Sequence, residues 1–291
     1  MTARIAVITR TKNRPLLLKR CLRSVFDQSY DDYVHVIVND GGTPALVEEA
    51  IDTTLSDRRK VQVIHHAQSR GIGDAANSGV NASDSERIVL LDDDDTWEPA
   101  FLASMSAALD ARTTPSVGAV VCRTRIVRES MEGETVTRLG TLEFNPNLRE
   151  ILLFQLAAKN LFSTNAFLYD RAWAAKAGPY RNELPALDDW DFNLRFLLCC
   201  DVDVLPQVLA NWHWRTGSGA PQTMSAGNND HKICMNHLRN EWLRRDVRAA
   251  RAGLGQLVAI ATAFEISRLE LLSRTRALGP FNRLLQWIRP W

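Results

Sequence analysis

IVLLDDDDTWEP, residues 88–99, puts four carboxylates in a row directly behind a run of bulky apolar residues. The apolar run reads as a buried strand, and the acids then stand at its carboxyl end. Working outward, the same grammar repeats. IAVIT (5–9), YVHVIV (33–38), VQVI (61–64) and RIVLL (87–91) read as strands. Between them, Pro15 to Phe26 repeats apolar residues at helical spacing, with Pro15 suited to a first turn. PALVEEAIDTTLS, GIGDAANSGVNA and EPAFLASMSAAL also read as helices, the first with acids early in its dipole. Strand–helix alternation predicts a mostly parallel sheet covered on both faces by helices. Such sheets bind ligands beyond the carboxyl ends of their strands. Three marked segments fall there: TRTKNR, NDGG and DDDD.

After about residue 112 the pattern changes. VGAVVCRTRIVRESMEGETVTRL predicts two strands around a Glu-Gly turn, followed by a helix over 148–159 and a strand-like TNAFLY. Asp170 is placed to cap a short helix, RAWAAKAG, closed by Gly178 and Pro179. DDWDFNLRFLLCC is helical, LANWHWR is a strand, and 216–230, rich in Gly, Ser and Asn, reads as a loop. From His231 onward the chain is helical and basic, with 11 Lys plus Arg against 4 Asp plus Glu. The expected organisation is therefore 1–112, 113–225 and a helical extension over 226–291.

The 291 residues are 45% apolar and 24% charged, an ordinary globular composition. A net charge of +1 argues against a general nucleic-acid binder. The five cysteines form no zinc spacing, which predicts free thiols in a reducing compartment. The N-terminus lacks a signal-peptide apolar region and no stretch approaches the roughly 18 apolar residues of a membrane span. The expected location is cytoplasmic.

Two carboxylates about 5 Å apart repel by roughly 3 kcal/mol at an effective dielectric near 20. A cation relieves that repulsion better than water. If the strand continues, Asp92 and Asp94 share one side and Asp93 and Asp95 the other. That makes a D-x-D pair of hard oxygen ligands suited to Mg²⁺ or Mn²⁺. The alternative is an acidic turn with Asp95 or Thr96 as N-cap. A second reading takes Gly71 to Ala76 as G-x-G-x-x-A, the fingerprint of an NAD(P)-dependent oxidoreductase. Against it, HHAQSR separates the motif from its strand and two β–α units precede it. A third is a catalytically silent sugar-binding protein.

Taken in order, VITRTKNRPLLLKRCLRSVFDQ, IVNDGG, SRGIGDAANSG, LLDDDDTWEP and AGPYRNELPALDDWDFNLRF resemble glycosyltransferase family 2 over roughly residues 4–215. The resemblance implies a GT-A fold, a Rossmann-type α/β sheet flanked by helices. It also implies an inverting transfer from a nucleoside-diphosphate sugar. By the same resemblance Thr11, Lys12 and Arg14 lie in the loop that contacts the nucleotide. Asp40 accepts a hydrogen bond from base or ribose, Arg70 faces the diphosphate, and Asp92 and Asp93 border the nucleotide. Asp92 and Asp94 match the D-x-D pair. Asp188-Asp189 matches the family's Glu-Asp pair, whose second acid is the general base. The family often has an aromatic residue where Lys12 stands and an Arg where this chain has Ala76.

Inverting transfer needs charge stabilised on the leaving diphosphate and a carboxylate to take the acceptor's proton. Asp189 is the candidate base, with Asp188 and Asp191 beside it as alternatives or as plain first-turn acids. Trp97 and Trp190 adjoin the two acidic sites and are either acceptor-stacking faces or core. His213 in WHWR is either a third metal ligand or an ordinary strand residue. The Arg- and Trp-bearing tail suits an anionic membrane surface, and hence a lipid-linked glycan acceptor, or packing on the domain, or a homodimer contact.

Overall fold

The computed structural model describes residues 3–112, 114–216 and 229–277. The segment read as a loop (216–230), the domain boundary at 225/226 and the terminal GPFNRLLQWIRPW fall almost wholly outside these. The chain divides into two compact units, Met1–Leu153 with Asn160–Met235, and Phe154–Lys159 with Asn236–Trp291.

In the first unit the expected alternation is realised. The elements run β1 (Ile5–Thr11), α1 (Pro15–Phe26), β2 (Tyr33–Asp40), α2 (Pro44–Thr54), β3 (Val61–His66), α3 (Ile72–Asn81) and β4 (Arg87–Leu90). They continue with β5 (Thr96–Trp97), α4 (Phe101–Asp110), β6 (Val117–Glu132) and β7 (Thr135–Glu143); α5 (Leu153–Ala158), next in chain order, belongs to the second unit from Phe154 on. A 3₁₀ turn (Thr164–Ala166) then leads to β8 (Phe167–Asp170), α6 (Arg171–Ala177), α7 (Asp188–Leu197) and β9 (Asp201–Thr216). The sheet order is β3-β2-β1-β4-β8-β6-β9-β5, with β7 pairing β6. The first four of these strands are mutually parallel, and β8 enters antiparallel to β4 and β6. The two segments expected as separate subdomains, 1–112 and 113–225, thus share one sheet.

The core follows from the apolar strands. Ile5, Ala6, Val7 and Ile8 of β1 are fully buried, as are Val36, Ile37 and Val38 of β2. One face of β1 receives α1, with Cys21 and Val25 in the cluster of Ile5 and Val7, while Leu18 and Leu22 cluster with Ile37 of β2 and Val47 and Ile51 of α2. The other receives α3 at very close range. A Cβ on Gly79 would come within 2.2 Å of Ile8 Cγ2, so glycine is what admits this helix.

Three local expectations need correction. The helix over 148–159 is confined to Leu153–Ala158. Asp170 makes no capping bond to α6, because its carboxylate accepts from Arg112 and faces Arg87 at 3.5 Å. The first turn of α2 contains no acid, since Glu48 and Glu49 come a turn later. All five cysteines are free.

In the second unit, the part of α8 (Asn229–Arg248) from Asn236 onward and α9 (Leu254–Ala277) meet closely, and a Cβ on Gly255 would lie 2.2 Å from the Trp242 carbonyl carbon. Ile260, Phe264 and Leu271 of α9 are exposed. Among the described residues no helix is long and apolar enough to cross a membrane.

Candidate active site

β1 delivers two sets of side chains to the carboxyl edge of the sheet by simple alternation. Thr9 and Thr11 point to the α1 face, and Ile8 and Arg10 to the α3 face, where Arg10 reaches the Ile72 carbonyl at 3.2 Å. The acid run sorts itself between these sets. β4 ends at Leu90 and a turn follows, yet the alternation persists in exposure: Asp93 and Asp95 are buried, Asp92 and Asp94 partly open.

Each acid has a protein partner, and Arg14 serves two of them. Arg10 donates to Asp92 Oδ1 from Nε (3.0 Å) and Nη2 (2.7 Å). Asp93 accepts from the Thr11 hydroxyl at 2.6 Å and pairs with Arg14. Asp94 pairs with Arg14 and Arg215, and its backbone carbonyl accepts from Arg20 at 2.7 Å. Asp95 accepts from Asn165 Nδ2 and from the His213 amide, each at 2.9 Å. Burial pushes the Asp93 carboxyl up to about 7 against the pull of Arg14, and burial together with Asp94 raises Asp95 well above its ordinary value.

The second acidic cluster opens α7. Leu187, in the left-handed region at φ 66°, turns the chain so that Asp188 and Asp189 face the sheet edge. A branched residue at positive φ stores strain that the surroundings must hold. Asp188, 5% exposed, accepts from Arg10 Nη1 at 2.9 Å. Asp189 is more open. Its Oδ2 accepts from Asn160 Nδ2 (2.8 Å) and Thr164 Oγ1 (3.2 Å), and its Oδ1 from the Trp190 amide. Burial raises both, Asp188 to about 6, with Arg10 pulling the other way. Asp191 turns away to Arg195 at 2.8 Å. Arg10 therefore holds a carboxylate of each cluster.

Several expected residues sit elsewhere. Trp97 is 4% exposed, stacked on Phe101 at 4.1 Å, with Nε1 donating to the Asn165 carbonyl; Trp190 is 1% exposed. Both are core and offer no face to a sugar ring. Thr11 and Asp93 are buried against each other, which removes them from direct nucleotide contact. Asp40 accepts four bonds from its own chain, from His66 Nδ1, Ser69 Oγ and the amides of Arg70 and Gly71, at 2.6–3.1 Å. That fills a carboxylate's acceptor sites, so Asp40 fastens the 69–71 loop and has none left for a base or ribose. His213 has both ring nitrogens occupied, Nδ1 by Glu129 at 2.7 Å and Nε2 by the Thr96 hydroxyl at 2.9 Å. A metal would have to displace Thr96 to use it. Lys12 is exposed, and Arg70 is open with Asp74 at 3.6 Å.

Arg10, Arg20, Glu129, Asn160 and Thr164 were not singled out from sequence. The signal for Arg10 was a charge inside the span of a central strand. For Glu129 it was an acid in the buried register of β6, held down at about 2 despite burial by His213 and Arg20. Arg10 is held charged, since Asp92 and Asp188 together outweigh its burial.

The donor set suits a hard divalent cation. Asp92 Oδ2 and Asp94 Oδ1 accept no hydrogen bond among the described residues, whereas their other oxygens are engaged by arginines. No group of three or more His, Cys, Asp or Glu side chains is arranged for a metal among those residues. Two carboxylates with substrate phosphates and water are what Mg²⁺ commonly takes.

Residues 6–178 match the family described as Glycosyl transferase family 2. The chain belongs to that family and is a glycosyltransferase. It is 26% identical over 192 residues to a "PGL/p-HBAD biosynthesis glycosyltransferase" of Mycobacterium bovis, covering 65% of this chain and 68% of the relative. Its fold is similar to that of S. aureus TarS 1-349 in complex with UDP-GlcNAc (TM-score 0.61, 18% identity, 82% of this chain and 66% of that one). It is similar too to the mannosyltransferase PcManGT of Pyrobaculum calidifontis in complex with GDP-Man and Mn²⁺ (TM-score 0.58, 18% identity, 99% and 83%). Chains this distant share the fold, and the fold is GT-A. The dinucleotide reading of Gly71–Ala76 is not favoured. Gly73 is required by packing, since its Cβ would lie 2.4 Å from the Arg181 carbonyl oxygen.

Proposed function

We propose that the chain is a metal-dependent inverting glycosyltransferase that moves a sugar from a nucleoside-diphosphate donor to a hydroxyl of a glycan or lipid-linked acceptor. The observation that carries the proposal is the convergence of two acidic clusters, nearly 100 residues apart in sequence, on one guanidinium at the carboxyl edge of the sheet. Asp92 and Asp94 hold Mn²⁺ or Mg²⁺, which when bound supplies Lewis-acid relief for the charge growing on the diphosphate. Mn²⁺ with GDP-Man in the similar mannosyltransferase supports this assignment. Arg14, 26% open at its side chain and beside Asp94, adds positive charge on the same side.

Asp189 takes the acceptor's proton. It is the more exposed acid of its pair, it is oriented by Asn160 and Thr164, and burial raises its proton affinity toward what a base at neutral pH needs. Asp188, tied to Arg10, supports it from behind. The biosynthetic names of the relatives, PGL/p-HBAD biosynthesis for the mycobacterial one and colanic acid biosynthesis for one of Escherichia coli, support an acceptor in glycan assembly.

A thermal-shift screen of UDP-, GDP- and dTDP-sugars with and without Mn²⁺ identifies the donor, because a ligand that binds the folded chain raises its apparent stability. Asp189→Asn is then expected to keep donor binding and lose transfer by at least 10²-fold, the scale of general-base catalysis. Wild-type turnover in that variant removes Asp189 as the base, and no response to any donor removes the function.

A further inference from the structure

Arg10 does more than neutralise an acid. It stands on β1 just past the end of its pairing with β4, which stops at Ile8↔Leu90, so its side chain is free to reach sideways. Its Nε and Nη2 close on a single oxygen of Asp92, and its Nη1 donates to a single oxygen of Asp188 and to the Ile72 carbonyl. The side chain is 11% exposed and Asp188's is 6%. Each acid keeps its second oxygen without a protein partner among the described residues. A guanidinium placed only to cancel charge would gain most by a two-oxygen fork on one carboxylate. This one divides itself between two and spans from the D-x-D turn to the first residue of α7.

We propose that Arg10 is a positioning residue that sets the distance between the donor-holding Asp92 and the Asp188-Asp189 pair. The inference rests on the function proposed above. A planar group with donors on three nitrogens is fixed in span and orientation by its bonds, whereas an ammonium reaches one acid at a time. Asp189 follows Asp188 directly on α7, so the strut that fixes one carboxylate limits where the other points. Misplacement of a reacting group by about 1 Å costs on the order of 10²-fold in rate.

The test is Arg10→Lys in the full chain, which keeps the charge and removes the bridge. Three quantities are read: the melting temperature, the donor dissociation constant by calorimetry, and kcat and KM for nucleoside diphosphate release with water as acceptor. The donor is whichever of UDP-glucose, UDP-GlcNAc or GDP-mannose the wild type turns over. The expected result is a donor dissociation constant and KM within about threefold of wild type and kcat lowered on the order of 10²-fold. A kcat within threefold of wild type overturns the proposal. So does a loss carried wholly by KM, which would make Arg10 a donor-binding group. If the lysine variant does not fold, Arg10→Ala prepared with millimolar guanidinium chloride replaces it. Guanidinium is then expected to raise kcat at least tenfold over the same concentration of methylammonium. Equal rescue by both ions, or by neither, overturns the bridge. A wild type that neither binds nor turns over any of the donors sinks the proposed function and this inference together. An active wild type with an unaffected Arg10→Lys sinks the inference alone.

Discussion

Arg14→Met tests whether arginines, not solvent, make the acid run tolerable. Asp93 is fully buried, and among the described residues its side-chain partners are the Thr11 hydroxyl and the Arg14 guanidinium. Methionine keeps the stem's packing and removes the charge. Breaking a buried pair by deleting one member costs roughly 3–5 kcal/mol when the survivor must stay ionised. Asp93 has an escape, which is to take a proton. With Arg14 present burial already holds it at about 7, and without Arg14 it rises further. Below pH 7 both folded forms carry the proton, and the variant loses only neutral hydrogen bonds, about 1–2 kcal/mol. Above pH 7 the wild type releases the proton and the variant does not. The gap then widens by about 1.4 kcal/mol per pH unit until the variant's own value is reached. Urea unfolding at pH 6, 7.5 and 9 in EDTA measures this directly. Adding Asp93→Asn to Arg14→Met is expected to recover at least half of the loss at pH 9. A gap that stays flat across pH, or a double variant no more stable than Arg14→Met at pH 9, refutes the reasoning.

Buried His35 has its Nε2 within 2.8 Å of the Thr9 hydroxyl, and burial lowers its pKa from 6.5 to about 3. The unfolded chain takes a proton below 6.5 while the folded chain stays neutral until about 3. Its contribution is therefore complete above pH 6.5 and lost on acidification, by about 1.4 kcal/mol per unit. Between pH 6.5 and 4.5, His35→Gln is expected to flatten the stability profile by about 2.3 kcal/mol, read by urea unfolding; an unchanged acid limb contradicts this. Gly79→Ala drives a methyl into Ile8 Cγ2. Overpacking of about 1–3 kcal/mol exceeds the roughly 1 kcal/mol gained in helix propensity, so the melting temperature is expected to fall; a rise would mean that α3 can back away from β1.

The sheet and the edge that carries the site could be read from the chain because short-range rules govern them. Pro15–Phe26 forms the helix its apolar spacing demands, and TKNR, NDGG and DDDD all stand at strand ends. Even the period-two sorting of Asp92 to Asp95 survives the end of the strand. What the chain order conceals is which partner each acid finds. Asp94 meets Arg215 and Asp92 shares a guanidinium with Asp188, pairings that exist only after the sheet brings distant strands side by side. Position beside an acidic motif was likewise a poor guide for Trp97 and Trp190. One residue of rotation along a strand or helix decides between cleft and core. Asp40 and His213 lie at the expected edge, but their capacity is consumed by neighbours that sequence spacing does not reveal.

β6 and β9 are each sixteen residues long and pair in parallel along nearly their whole length, interrupted by bulges. β6 joins β4, through β8, to β9, the strand that bears His213 and Arg215. From Thr124 to Ser130 the ladder runs without a register shift, and that stretch resists bending, since a fold line across it would break a row of backbone hydrogen bonds. The strands on either side of β8 meet only through its short antiparallel pairings with β4 and β6, three residues each, whereas β6 and β9 hold each other over most of their length. Stiffness of that kind fixes where the β9 residues His213 and Arg215 stand relative to β6, leaving side chains and the backbone beyond the strand tips as the parts freest to adjust.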